Sequence, residues 1–249
     1  MNLTLHPSSA IEKTKEKLYA YGKEVFSGKW QAIDTEVPMW ELFNHNVQCV
    51  MPQTIEEMVK EIKPNLPWAD DHFEERVGGL PLNPPPSNEW WPFAQLGNKQ
   101  FKADEKFSHT YPERLWPPHM EGIRYRYGDM QDVVQLLERE PHTRQAFLPI
   151  WFPEDTGANE GQRVPCTIGY QFIRRDDYLH MFYFIRSCDY LRHFRDDIYL
   201  SMRKAQWVLE TLQGRSKKWD NVKLGIFDMK IVSLHVFSPE REILKQKNK

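Results

Sequence analysis

Residues 163–189 read RVPCTIGYQFIRRDDYLHMFYFIRSCD. Two runs inside this stretch, GYQFIR (169–174) and LHMFYFIR (179–186), read as strands, and their apolar content is continuous enough to place them in a sheet buried against helices. Upstream, LPIWF (148–152) reads the same way. Downstream, Ile198, Met202, Ala205, Leu209 and Leu212 form one stripe of a helix from about Asp197 to Leu212, and KLGIFDMKIVSLHVF (223–237) supplies one or two closing strands. Further out, helical spacing recurs over 11–26, and MWELFNHNVQCV (39–50) reads as a strand. A short helix at 54–63 opens on Thr54 with Glu57 three residues on, a capping-box pattern, and Pro64 ends it. Met130, Val133, Val134 and Leu137 fall at i, i+3, i+4 and i+7 between Asp129 and Glu140, so that helix buries one face, and Pro141 closes it. The reading is an α+β fold, several strands covered by helices, in a single domain over 1–249 that ends in the charged segment EREILKQKNK.

Composition narrows the function classes. The chain has 249 residues, 40% hydrophobic and 13% aromatic, enough for a sizeable core. Lys+Arg 33 against Asp+Glu 35 leaves a net charge of −2, so no general basic field exists to hold nucleic acid or anionic lipid. A small anion gripped by a few arginines stays open. Cys49, Cys166 and Cys188 are odd in number, far apart and without CxxC spacing, which argues against a disulfide framework or a zinc site and favours a reducing cytoplasm. The N-terminus carries no apolar run of the signal-peptide kind, and no stretch approaches the roughly 20 apolar residues that span a bilayer. Many of the Pro and Trp residues crowd into about 64–118, where LPLNPPPSNEWWP and LWPPH read as an ordered surface insertion.

Cys166 follows a proline at the head of a strand. Alone, such a thiol is more often a packed core residue than a nucleophile. From about 129 to 240, however, the chain resembles the thymidylate synthase and deoxycytidylate hydroxymethylase superfamily. The resemblance is carried in order by PHTRQ (141–145), the Pro165-Cys166 step, YQF (170–172), RSCD (186–189), FRDD (194–197) and SLHVF (233–237). Residues 1–128 match only loosely. The resemblance implies a folate-dependent one-carbon transferase, 5,10-methylenetetrahydrofolate as co-substrate, a pyrimidine nucleoside monophosphate as substrate, and a homodimer formed through the sheet.

The chemistry explains why those residue types are needed. Carbon C5 of a pyrimidine is a poor nucleophile, and a thiolate adding at C6 converts the ring to an enolate or its amino equivalent that attacks an electrophilic one-carbon unit. The resemblance gives Cys166 that role and makes Cys188 a packed residue. Arg186 and Ser187 match the family's phosphate-binding pair, because guanidinium groups suit phosphate oxygens, and Arg144 matches the arginine that reaches the phosphate from the neighbouring subunit. Relatives commonly carry a second arginine where this chain has Gln145, and Arg163 is one substitute.

Asp197 stands where thymidylate synthases place an asparagine. A carboxylate there accepts from the exocyclic amine of cytosine and shares a proton with N3, as FRDD resembles phage-type deoxycytidylate hydroxymethylase in doing. Asp196 and Asp197 are also natural N-caps for the following helix. His235 and Phe237 occupy the sugar-binding pair, where Phe237 replaces a tyrosine and loses its hydrogen bond. The resemblance puts Asp189, Tyr111 and Trp116 on the folate side, and His193 stands where relatives carry a smaller residue. Relatives use a glutamate about 36 residues before such a tyrosine as proton relay, and the resemblance puts that role on Glu75, 36 residues before Tyr111, with Glu74 the alternative. The short charged C-terminal segment favours a wet site and hence hydroxymethylation of dCMP over methylation. A CMP hydroxymethylase, a pyrimidine nucleotide methyltransferase and an inactive nucleotide-binding subunit are the other readings.

Overall fold

The computed structural model describes residues 5–29, 36–93, 102–103, 105–117, 129–156 and 164–245. Along them the chain runs α1 (Pro7–Tyr21), β1 (Lys23–Lys29), β2 (Glu36–Val50), α2 (Ile55–Ile62), α3 (Trp68–Val77), β3 (Lys102–Ala103) and β4 (Lys106–Phe107). It continues through α4 (Tyr111–Leu115), α5 (Met130–Arg139), β5 (Phe147–Pro149), α6 (Pro153–Thr156), β6 (Thr167–Arg175), β7 (Tyr178–Asp189), α7 (Phe194–Arg215) and β8 (Lys223–Phe237). Six strands form one mixed sheet in the order β1-β2-β8-β7-β6-β5. The β7–β8 pair is parallel and the other pairs are antiparallel. The α+β fold with helices over a mixed sheet is thus the one the strand and helix periodicities imply, and it is a thymidylate synthase-like arrangement.

The period-2 alternation of β7 sorts its two faces. Leu179, Met181, Tyr183 and Ile185 are buried, whereas His180, Phe182, Phe184 and Arg186 are half-buried on the other side. The buried set meets α7, whose residues Ile198, Met202, Ala205, Leu209 and Leu212 are all buried, as the sequence stripe implies. α7 is longer than expected, beginning at Phe194, and α2, α3 and α5 pack on its outer side. Full burial of each Ile, Leu and Met side chain in the α7 stripe contributes about 1.5–3 kcal/mol to this layer. The helix starts follow local chemistry. Thr54 and Glu57 form the expected capping box of α2, and Asp129 accepts from the Asp132 amide at 2.9 Å to open α5.

Several expectations are corrected. Helix α1 spans Pro7–Tyr21 and not 11–26, because the chain turns at Gly22 into β1. Neither Asp196 nor Asp197 is the N-cap of α7; His193 holds that position without a side-chain cap, and both carboxylates lie in the first helical turn. The 64–118 stretch is not a mere surface insertion. It holds α3, a 3-10 turn at Pro86–Trp90 and α4, and it buries Trp68, Ala69, Phe73 and Leu115 in the core. The 223–237 segment is one continuous strand, and the following charged segment forms a 3-10 helix over Ser238–Lys245 that buries Leu244.

Candidate active site

A cavity of about 180 Å³ lies between the ends of the sheet and the 68–111 stretch. From the sheet side Val164, Cys166 and Ser187 line it, and from α7 come His193, Asp196, Asp197 and Leu200. The opposite wall is α3 with Trp68, His72 and Arg76, the loop residues Pro85, Asn88 and Trp91, and the run Phe107–Tyr111. The cavity therefore joins Tyr111, Cys166, Ser187 and Asp197, residues that lie more than 20 positions apart in sequence except for Ser187 and Asp197, which are ten apart.

Each sheet-side residue is held by regular structure. Cys166 is half-buried immediately before β6, and its carbonyl accepts from the Arg186 amide at 2.9 Å. Arg186 also donates Nε to the Pro165 carbonyl at 2.9 Å and Nη2 to the Val164 carbonyl at 3.2 Å, so it grips the backbone that presents the thiol. Tyr111 Oη and Tyr183 Oη both meet the Thr167 hydroxyl, at 3.0 and 2.9 Å, which ties the two walls together behind Cys166.

Asp196 and Asp197 have separate tasks. Asp196 accepts from the Asn65 amide at 2.8 Å and from Asn65 Nδ2 at 2.7 Å, fixing the turn between α2 and α3. Asp197 is half-buried where it lines the cavity; desolvation pushes its carboxyl from an ordinary 3.8 up to about 7, although the Arg76 guanidinium draws it down. Its Oδ2 lies 3.5 Å from Cys188 Sγ. Cys188 is buried and its thiol is pushed well up, chiefly by desolvation and then by Asp197, so it stays protonated beside the carboxylate.

On the opposite wall the aromatic rings form a continuous stack. His72 lies 4.9 Å from Trp68 and Trp91 lies 5.2 Å from His193, both nearly parallel, with Trp68 and Trp91 tilted at 6.3 Å between them. Arg76 is buried with its guanidinium 4.2 Å over the Tyr111 ring. Behind the cavity Lys204 is fully buried, its Nζ 3.5 Å over the Tyr170 ring, and burial followed by the Arg76 charge holds its pKa well below the ordinary value.

The remaining expected residues stand off the cavity. Glu75 points to Ser87 and His72 and is one residue removed from the lining Arg76. Trp116 donates Nε1 to the Arg76 carbonyl at 2.9 Å and packs edge-on against Trp207. Asp189 accepts from the Leu191 and Arg192 amides at 2.9 and 3.1 Å and from Arg192 Nη1 at 2.8 Å. Arg192 in turn grips Glu240 at 2.8 and 2.5 Å and lies 4.8 Å over Phe237. His235 sits opposite Asp189 across the β7–β8 pair, buried, with its Nδ1 lacking a hydrogen-bond partner among the described residues. Arg144 is exposed in the turn before β5, where its carbonyl accepts from Gln171 at 3.0 Å. Arg163 lies outside the described residues. Sequence reasoning did not find Arg76, His72 or Trp91; the one local signal was the proximity of the first two to Glu75 in DHFEERVGG.

The sequence has counterparts among known proteins. The chain is 26% identical over 144 residues to a "Putative thymidylate synthase" of Methanosarcina mazei, a match covering 57% of this chain and 58% of that protein. It is 29% identical over 109 residues to a "Putative thymidylate synthase" of Methanococcoides burtonii, covering 43% of this chain and 46% of that protein. The matches thus take in about half the length of these curated relatives. No protein-family model matches the chain. Both similarities support a place in the thymidylate synthase superfamily. No helix among the described residues is long and apolar enough to cross a membrane.

Proposed function

We propose that this protein is a deoxycytidylate 5-hydroxymethyltransferase within the thymidylate synthase-like transferases. Asp197 carries the reading. It shares the cavity with Cys166, and desolvation pushes its carboxyl up to about 7, so it passes between carboxylate and carboxylic acid near neutral pH. A group of that kind accepts from the cytosine amine and exchanges a proton with N3. An asparagine amide would serve uracil, whose donors and acceptors are reversed on that edge.

In this reading Cys166 adds to C6 of dCMP. Ser187, beside Arg186, and Arg144 from a second subunit face the phosphate, with His235 and Phe237 on the sugar side. The support for Arg144 acting across a dimer is its exposure away from the cavity of its own chain, together with an apolar outer sheet face. Phe147 and Phe184 lie 6.2 Å apart on that face, alongside exposed Val232. The stacked Trp91 and His193 rings, with Trp68 tilted beside them, fit a pterin, with Tyr111 at the edge. 5,10-Methylenetetrahydrofolate supplies the one-carbon unit when bound, and water completes the hydroxymethyl group. Asp189 acts on the folate side by holding Arg192 and the loop that leads into α7.

A CMP hydroxymethylase is the second reading, favoured by Phe237, which offers no hydroxyl to the sugar and is covered by Arg192. Incubation with dCMP or CMP and methylenetetrahydrofolate, followed by mass spectrometry, separates the two. A 5-hydroxymethyl product from dCMP is expected, and its absence overturns the proposal.

A further inference from the structure

Both carboxylate oxygens of Glu75 are engaged by Ser87 and His72, and Glu75 itself does not line the cavity. Oε1 accepts from the Ser87 amide at 2.5 Å, while Oε2 accepts from the Ser87 hydroxyl and faces His72 Nδ1 at 3.1 Å. The hydrogen bonds from His72 and Ser87 outweigh the upward push of burial and hold Glu75 below the usual carboxylate range, so it is ionised. His72 lies three residues earlier on the same face of α3, and it lines the cavity with Cys166. Its ring plane is fixed by the stack on Trp68.

An ionised carboxylate facing Nδ1 places the imidazole proton there. Nε2 is then a bare acceptor, and it makes no hydrogen bond among the described residues. Burial, then the Arg76 charge, push His72 down to about 4, so the ring is neutral at rest; Glu75 pulls the other way and stabilises the imidazolium once it forms. This is the base-plus-orienter pattern of a nucleophilic site.

We propose that His72, rather than Glu75 itself, takes the proton from C5 of the pyrimidine ring, with Glu75 as the carboxylate that orients it. The inference rests on the cytidylate reading above. The step needs no co-reactant. The Cys166 thiolate adds to C6, the displaced electron pair appears at C5, and C5 takes a proton from solvent. Nε2 then removes one of the two C5 protons, the C5–H electron pair re-forms the C5=C6 bond, and the thiolate leaves. The proton on Nε2 returns to water, and the net result is exchange of the C5 hydrogen.

The test is exchange of the C5 hydrogen of dCMP in D₂O without folate, followed by proton NMR, alongside calorimetric dCMP binding. His72→Asn is expected to slow exchange roughly 100-fold or more while dCMP affinity stays within about threefold, and imidazole is expected to restore part of the rate to His72→Ala. Exchange by His72→Asn at the wild-type rate overturns the inference and leaves the cytidylate reading standing. Wild-type protein that neither binds dCMP nor exchanges its C5 hydrogen overturns that reading, and the inference with it. Should the His72 variants not fold, Glu75→Gln keeps the side-chain volume and is expected to slow exchange by about tenfold or more; an unchanged rate overturns the inference.

Discussion

The two walls of the cavity are built by different means. The sheet wall presents Ser187 on β7 and Cys166 immediately before β6, and α7 adds Asp197 from its first turn. The opposite wall is a ten-residue helix, a 3-10 turn and a short run of extended chain, held by ring stacking and by buried ions such as Arg76. The first wall takes its geometry from backbone ladders that one substitution cannot move. The second takes its geometry from side chains, so single substitutions there alter position as well as chemistry. On the proposed function, chemistry resides in the sheet wall and proton handling and stacking reside in the other.

The largest expected effect tests that division directly. Cys166→Ala removes the only proposed bond to substrate and should lower both C5 exchange and product formation by roughly 10⁴-fold or more, while dCMP binding persists. Loss of binding together with turnover would show that the thiol holds the sheet wall in shape, and the comparison would break there.

Asp197→Asn comes next, and it has two readouts. Exchanging an acceptor-only group for an amide should shift preference from dCMP towards dUMP by about 1–3 kcal/mol, roughly 5- to 150-fold in relative affinity. Stability moves the other way from activity. The folded-state pKa, about 7, lies above the ordinary 3.8, so the folded protein keeps a proton that the unfolded chain releases. Its contribution is therefore fully present below pH 4 and is lost as pH rises through about 7. The variant should gain at most about 4 kcal/mol over wild type at pH 8 and nothing at pH 4, measured by denaturant melts.

The same contrast explains what could be read without a structure. Strands β6 to β8, helices α5 and α7 and the cap of α2 declare themselves through period and capping residues, and the sheet-wall residues fall within that ordered half of the chain. β1 is short, and α3 has no clean apolar stripe, since WADDHFEERV buries His72 and Arg76 beside Trp68 and Phe73. Burial of ions depends on partners far along the chain, such as Asp197 for Arg76 and Tyr170 for Lys204. No local window contains those partners. The proline-rich run likewise hides a stack completed by His193, about 100 residues on.

Thr167 joins the walls, through Tyr111 on one side and Tyr183 on the other. Thr167→Val preserves shape and removes the hydroxyl, so the buried Tyr183 phenol and the half-buried Tyr111 phenol lose a partner at once. A loss of about 1–3 kcal/mol in unfolding free energy is expected, with a smaller effect on dCMP binding. Equal stability would mean that the walls are joined by packing alone.

Trp116→Phe is the mildest of the four and sharpens the comparison most narrowly. The indole donates to the Arg76 carbonyl and packs against Trp207, so Trp116 supports α3 from behind and does not line the cavity. Phenylalanine keeps most of the ring and deletes one donor, leaving a carbonyl near the helix end that water or a small shift can satisfy. A destabilisation of about 1 kcal/mol is expected, with KM for methylenetetrahydrofolate unchanged within about twofold. A large rise in that KM without loss of stability would place Trp116 against the pterin and move it from the scaffold of the second wall to its working surface.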